Sequence, residues 1–343
     1  MKKIAWLLLL CMGAFPVFTT AQSKKIDSVR FFTDQAMIDI TLTTDIRKLQ
    51  NQKGEDVFQE ASVSCRFPDS SVIEEPVMVA ARGHFRREYC NIPPVMIDFS
   101  NAGSPKLSPL GKLKLVIGCG TSGNDEQLLI REYLAYKIYN ILEPKSFRVR
   151  LVKVSYRDTR SKMKAFSQYA FLIEDDNDMA ARNGCIKKAK AQYLTENTDR
   201  ELMTKVAVFE YLISNGDWSV PNNHNTRLIY EKKNPGALPY VVPYDFDHSG
   251  FVNASYALPN ELLGTETVTE RVYRGFPRSM EELQQTFAIF RDKKQAIMGV
   301  INNCTYLQSR SKKEVTEYLE EFYKTINDKK QVQFIFIDNA RKQ

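Results

Sequence analysis

Histidine is scarce in this chain: its 343 residues hold three, His84, His224 and His248, far apart in sequence. There is no Cys-x-x-Cys pair and no Cys/His cluster, so a structural zinc site is not expected, and any metal should be a hard cation on oxygen ligands. Past residue 21 no apolar run is long enough to cross a bilayer, and there is no internal repeat and no low-complexity tract. Nor is there a large excess of charge. The balance of 48 Lys and Arg against 41 Asp and Glu gives +7, and loss of Lys2 and Lys3 with a leader leaves +5. That mild, scattered surplus is no nucleic-acid footprint, and no nucleic-acid partner is expected. What the chain does have is 43% hydrophobic and 26% charged residues, enough to fold as one large domain or two ordinary ones; disorder and collagen-like structure are excluded.

Residues 1–21 read as a secretory signal. Lys2 and Lys3 precede an apolar run from Ile4 to Phe18, and Thr19, Thr20 and Ala21 supply small residues before a cleavage site at Gln22. The run is shorter than the roughly 20 residues a spanning helix needs, so the mature chain is expected to be exported without a transmembrane helix, to the periplasm, the cell surface or the medium. Removing the leader removes Cys11 and leaves Cys65, Cys90, Cys119, Cys185 and Cys304, an odd number, so at least one thiol does not pair within the chain.

Two regions differ in period. Over 22–173 the apolar residues alternate, as in Ile38, Ile40 and Leu42, in Val95, Ile97 and Phe99, and in Leu113, Leu115 and Ile117. One helical stripe interrupts them, Ile130, Leu134, Ile138 and Ile141, with Pro144 beyond its end. Strand-like runs Phe147 to Tyr156 and Phe166 to Ile173 lead to an acidic connector, Glu174 to Asp178. Over 174–343 a helix is expected from Asp199 to Ile213, then a polar loop, a hairpin (Arg227 to Glu231 and Tyr240 to Tyr244), and mostly helix to the end.

The loop Ser214 to Asn225 holds Asp217 five residues before Asn222. Phosphotransferases use that spacing to set a base at an acceptor hydroxyl and an amide oxygen on Mg²⁺; Asx-turns in a connecting loop would use the same residues. The hairpin after the loop ends at Asp245, with Asp247 two residues on, where a carboxylate holds the metal that bridges nucleotide phosphates in such sites. Lys114 on a strand and Glu132 on the next helix form a candidate pair facing those phosphates, although Glu132 has Arg131 and Lys137 as alternative partners on a solvated helix surface.

These pieces are collinear with a known family. Ala81-Arg-Gly83, Leu128-Leu-Ile-Arg-Glu-Tyr-Leu-Ala135, Ala170-Phe-Leu-Ile-Glu-Asp175, Asp217-Trp218 with Asn222-Asn223, and Pro243-Tyr-Asp-Phe-Asp247 give the chain a resemblance, over about residues 80 to 255, to the spore-coat CotH kinase-like family of secreted atypical kinases. The resemblance implies an α+β, two-lobed protein-kinase-like fold, with a sheet-rich N-terminal lobe and a mainly helical C-terminal lobe. It also implies Asp217 as catalytic aspartate, Asn222 and Asp245 as metal ligands with Asp247 as a possible second carboxylate, and Glu174 and Asp175 near an adenine-facing hinge. The implied cofactors are ATP or another nucleotide and Mg²⁺ or Mn²⁺; the implied partner is a protein substrate bearing a hydroxyl, in the envelope or outside the cell. The chain departs from the pattern in two places. It has no Gly-x-Gly-x-x-Gly loop, and the strand Pro94 to Phe99 offers Met96 and Asp98 where relatives carry a basic residue, so a phosphate-facing cation must come from Lys114, Lys112 or the cluster Arg82, Arg86 and Arg87. Two other functions fit the same residues: a catalytically silent binding or structural protein of the cell envelope, and a hydrolase pairing Asp217 with Asp245 or Asp247.

Overall fold

Alternation in β1 (Ile38–Thr44) buries Ile38, Ile40, Leu42 and Thr44 on one face and leaves Asp39 exposed on the other. The same logic shapes β2 (Gln59–Arg66), β3 (Val72–Ala81), β4 (Val95–Asp98), β5 (Lys112–Ile117), β6 (Val149–Asp158) and β7 (Phe166–Ile173). The computed structural model describes residues 28–342 except 29, 53–56, 84–85, 88–89, 91, 121, 188–191 and 235. The leader expected over residues 1–21 lies outside the described residues.

The seven strands form a closed barrel in the order β1-β2-β3-β4-β5-β7-β6. This corrects the expected fold: a two-lobed protein-kinase-like architecture, with a sheet-rich N-terminal lobe and a mainly helical C-terminal lobe, is not what the chain shows. The cause is a parallel pairing of β1 with β6, from Ile38 opposite Val152 to Thr44 opposite Asp158, which joins the two strands that would otherwise be sheet edges. Every other pairing in the ring is antiparallel. Period-two patterning reports which face of a strand is buried, and a closed ring gives the same pattern as an open sheet. Leu42, Val79, Ile97, Leu115, Val152 and Leu172 fill the barrel, each at most 1% exposed.

Outside the ring lie α1 (Ile46–Gln50), α2 (Gly123–Leu142) and α3 (Asp176–Arg182). Ser122 and Asp125 form a reciprocal capping box that starts α2. The acidic connector is the beginning of α3, because Asp175 caps it by accepting from Asn177 N. Then follow β8 (Cys185–Lys187), α4 (Arg200–Leu212), β9 (Thr226–Glu231) and β10 (Tyr240–Pro243), with β8, β9 and β10 making a small antiparallel sheet. The segment from residue 251 to 278 is mostly turn and irregular backbone where helix was expected. The chain ends in α5 (Met280–Asn302), α6 (Ser309–Asn327) and α7 (Lys329–Val332), the last running into a π-helical turn, Gln333–Asp338.

α2 holds the two regions together. Its buried residues share one core with the outer face of the barrel, with α4 and with α5, so that core crosses the boundary expected between residues 173 and 174. Phe246 is fully buried in it, with its ring centroid 4.6 Å from Tyr136 of α2 and 5.4 Å from Phe209 of α4. Burying that ring is worth about 2–3 kcal/mol and fixes its two neighbours in sequence. Those neighbours are Asp245 and Asp247.

Candidate functional site

With Phe246 turned into the core, Asp245 and Asp247 both line a cavity of about 240 Å³ between the barrel and the helical part. Arg82, Arg86, Lys114, Glu132, Asp217 and His224 line it too. Five residues singled out from sequence, Lys114, Glu132, Asp217, Asp245 and Asp247, therefore meet in one place although they are spread over more than a third of the chain. A second cavity of about 180 Å³ adjoins it and shares Asp217 and His248.

Each arrives by a different route. Lys114 stands on β5, its ammonium 3.8 Å from Asp176 and 5.1 Å from the centre of the Tyr244 ring. Glu132 is on α2 and 2% exposed. One turn later Tyr136 accepts a hydrogen bond at its phenol oxygen from the backbone N–H of Asp245, 2.8 Å away. Asp245 sits at φ +66°, a left-handed conformation that few non-glycine residues adopt. Such conformations persist where surrounding structure enforces them, often at functional sites. Arg82 follows β3, anchored by its N–H to Pro94 O at 2.8 Å.

The ion pairs differ from the sequence-based pairing. Glu132 lies 3.9 Å from Arg86, which is also 3.6 Å from Asp247; Lys114 pairs with Asp176. Arg86 further donates to Ile117 O, and a disulfide joins Cys90 to Cys119, tying the Arg86 turn to the junction between β5 and α2. Cys65, Cys185 and Cys304 are free thiols.

The electrostatics follow from burial and crowding. Burial pushes the Glu132 carboxyl well above the ordinary carboxylate range, and Asp247 adds to the effect against the pull of Arg86. Burial, then repulsion from Asp247, raises Asp245 as well. Burial alone would lower the Arg86 guanidinium, but Tyr256, Asp247, Glu132 and Asp245 around it raise it, so it stays charged. For Lys114 burial wins: it is pushed down to about 8, because Asp176 only partly offsets burial and the nearby Arg82 and Arg227. Asp176 itself resists burial through Lys114, Arg227 and Lys187 and falls to about 2.

Asp217 lies in the loop after α4, its side chain 41% exposed. Its Oδ1 is 2.8 Å from His224 Nε2, and its Oδ2 accepts from Asn225 Nδ2 at 3.0 Å. Asn225 lines the cavity; Asn222 does not. Asn222 is exposed at the tip of the turn, its N–H directed to Ser219 Oγ at 3.4 Å. Glu174 and Asp175 also stand away from the cavity lining. Glu174 is taken up by Arg182 Nε and Nη2, both at 2.9 Å, and by Arg148 N at 3.1 Å, and Asp175 caps α3. Their neighbour Ile173 does line the cavity.

Asp245 and Asp247 offer the hard oxygen donors that Mg²⁺ or Mn²⁺ takes. A Mg²⁺ site built on one or two carboxylates and substrate phosphates needs no more protein ligands than that. Among the described residues no group of three His, Cys, Asp or Glu is arranged to hold a metal by itself. Also among the described residues, no helix is long and apolar enough to cross a membrane.

Sequence reasoning missed His224, Asn225 and Asp176. The first two stand in the loop already under suspicion, where a scarce histidine seven residues from an aspartate was the available signal. Asp176 had none, since its role comes from Lys114, Lys187 and Arg227 converging from three strands. Compared with known protein families and with curated proteins, the chain has no match in either.

Proposed function

We propose that the cavity binds the phosphates of a nucleotide such as ATP and that the protein transfers a phosphoryl group to a protein hydroxyl outside the cytoplasm. The observation that carries this reading is the convergence of Arg82, Arg86 and Lys114 with Asp217, Asp245 and Asp247 on one cavity. Phosphoryl transfer needs little covalent help from a protein: cations neutralise charge on the transferred group, and a positioned group steers the acceptor hydroxyl. Arg82 and Arg86 supply permanent charge, and Lys114 supplies charge below about pH 8. A Mg²⁺ or Mn²⁺ ion on Asp245 and Asp247 would supply further neutralisation of the phosphates. The loop of Asp217 presents its side chain at the mouth, and Arg274 clamps that loop by donating to Gly216 O and Trp218 O at 2.5 and 2.7 Å. The resemblance to secreted CotH-like kinases agrees with this chemistry, and the Cys90–Cys119 disulfide agrees with an oxidising compartment.

The test is a thermal-shift titration of the mature protein with ATP, GTP and pyrophosphate, with and without Mg²⁺ or Mn²⁺, followed by radiolabel transfer to envelope proteins. A specific ligand at 100 times its Kd should stabilise the folded state by about 2.7 kcal/mol. No shift with any of the three ligands would refute the reading.

One observation favours a silent binding protein instead. At about 240 Å³ the cavity is smaller than the roughly 300–1,000 Å³ of ordinary ligand sites, enough for phosphates but tight for a whole nucleotide. On that reading pyrophosphate stabilises the protein as well as ATP does, and no label is transferred.

A further inference from the structure

Both oxygens of Asp217 already carry a partner, which bears on where a proton goes. Oδ1 faces His224 Nε2 at 2.8 Å, and Oδ2 accepts from Asn225 Nδ2 at 3.0 Å. An ionised carboxylate only accepts, so the imidazole nitrogen beside it must carry the hydrogen, and the other ring nitrogen, Nδ1, keeps its lone pair. Among the described residues Nδ1 meets no hydrogen-bond partner. The ring is held in place from behind: His224 and Ser219 exchange two backbone hydrogen bonds, each 2.9 Å. It is still 53% exposed, and it lines the cavity shared by Arg82, Arg86 and Lys114.

We infer that His224, through Nδ1, takes the proton of the acceptor hydroxyl, and that Asp217 and Asn225 are positioning residues that fix its ring and tautomer. This deepens the phosphoryl-transfer reading and rests on it. The acceptor's oxygen forms the new bond to phosphorus as its proton moves to Nδ1. The bond from phosphorus to the bridging oxygen breaks, and its electron pair leaves with the nucleoside diphosphate. The imidazolium, stabilised by Asp217, then returns its proton to solvent. Imidazole suits this task because one ring nitrogen can donate to a carboxylate while the other keeps a lone pair for the incoming proton.

Two measurements test the inference. Nitrogen-15 NMR of histidine-labelled mature protein needs no substrate: the signals lost in His224→Gln should report an Nε2–H tautomer, and Asp217→Asn should shift that ring toward a mixture. In steady-state transfer from ATP, His224→Gln should lower kcat by about 10²–10⁴-fold, with nucleotide affinity within about twofold of wild type. An Nδ1–H tautomer at His224, or an undiminished kcat in His224→Gln, overturns the role of His224 and leaves nucleotide transfer standing. A wild type that binds no nucleotide overturns the underlying reading, a failure the thermal shift shows separately.

Discussion

The phenol oxygen of Tyr136 accepts the backbone N–H of Asp245 at 2.8 Å, and it does so for a residue held at φ +66°. A left-handed backbone costs a non-glycine residue roughly 1–2 kcal/mol, so this bond and the burial of Phe246 hold Asp245 against a local penalty. Asp245→Asn tolerates the conformation, removes a buried charge and ends the repulsion from Asp247. Its unfolding free energy in urea should stay level or rise by about 1 kcal/mol, while metal-dependent ATP affinity falls at least tenfold. Tyr136→Phe should do the opposite to stability, costing about 1 kcal/mol by removing the partner of a part-buried N–H. Asn222→Ala, at the exposed turn tip, should change neither. A destabilised Asp245→Asn would contradict this account.

Lys114 should give anion binding a basic limit. Its ammonium is pushed down to about 8 by burial, so it loses charge as pH rises through that value. Affinity for pyrophosphate, measured by calorimetry at constant ionic strength, should weaken between pH 7 and 9. Lys114→Arg keeps its charge throughout and should flatten the profile. A wild-type affinity independent of pH over that range would show that Lys114 does not face the ligand.

Asp176 sets an acid limit on stability. Its folded value, about 2, lies below the ordinary value of about 3.9 for an unfolded aspartate. A depressed carboxylate contributes stability that is fully present above the unfolded value and is lost as pH falls through the folded one. The contribution is about 2 kcal/mol, disappearing between about pH 5 and 2. Asp176→Asn should unfold more readily at pH 7 and should lose that part of the acid dependence, read from urea midpoints across the range.

The Cys90–Cys119 disulfide closes a loop with a sequence separation of 29 residues. By loop entropy it should contribute about 3.5 kcal/mol. Replacing both cysteines by serine should lower the urea midpoint accordingly and make it insensitive to dithiothreitol, which should lower the wild-type midpoint. Because the bridge ties down the turn that carries Arg86, pyrophosphate affinity should fall in the same variant. Unchanged affinity there would mean that Arg86 is placed by Ile117, Glu132 and Asp247 alone.

Much of the local structure was legible in the sequence, and the long-range structure was not. Phe166–Ile173 was recovered to the residue, and α2, α4 and the hairpin of β9 and β10 to within a few residues at each end, because period and capping are local signals. Closure of the ring was hidden: nothing near Ile38 indicates that Val152 will lie beside it. The site divides in the same way. Asp217, Asp245 and Asp247, singled out by spacing, do line one cavity, while the pairing of Glu132 with Arg86 and of Lys114 with Asp176 depends on which segments the fold brings together. Asn225 and not Asn222 lines the cavity, because the backbone turns at Asn223 and Asn225, at φ +51° and +52°.

The seam between β1 and β6 also governs how the molecule comes to be made. Until the chain has been synthesised past Asp158, β1 has only β2 beside it, and its other edge is bare. Pairings between segments so distant in sequence form slowly, since loop closure must be completed before any contact rewards it. During that interval two unpaired edges, each ready to accept a strand from another chain, are open to solvent. The finished ring has no such edges, so that particular hazard belongs to the nascent chain and to any variant that unzips Ile38–Thr44.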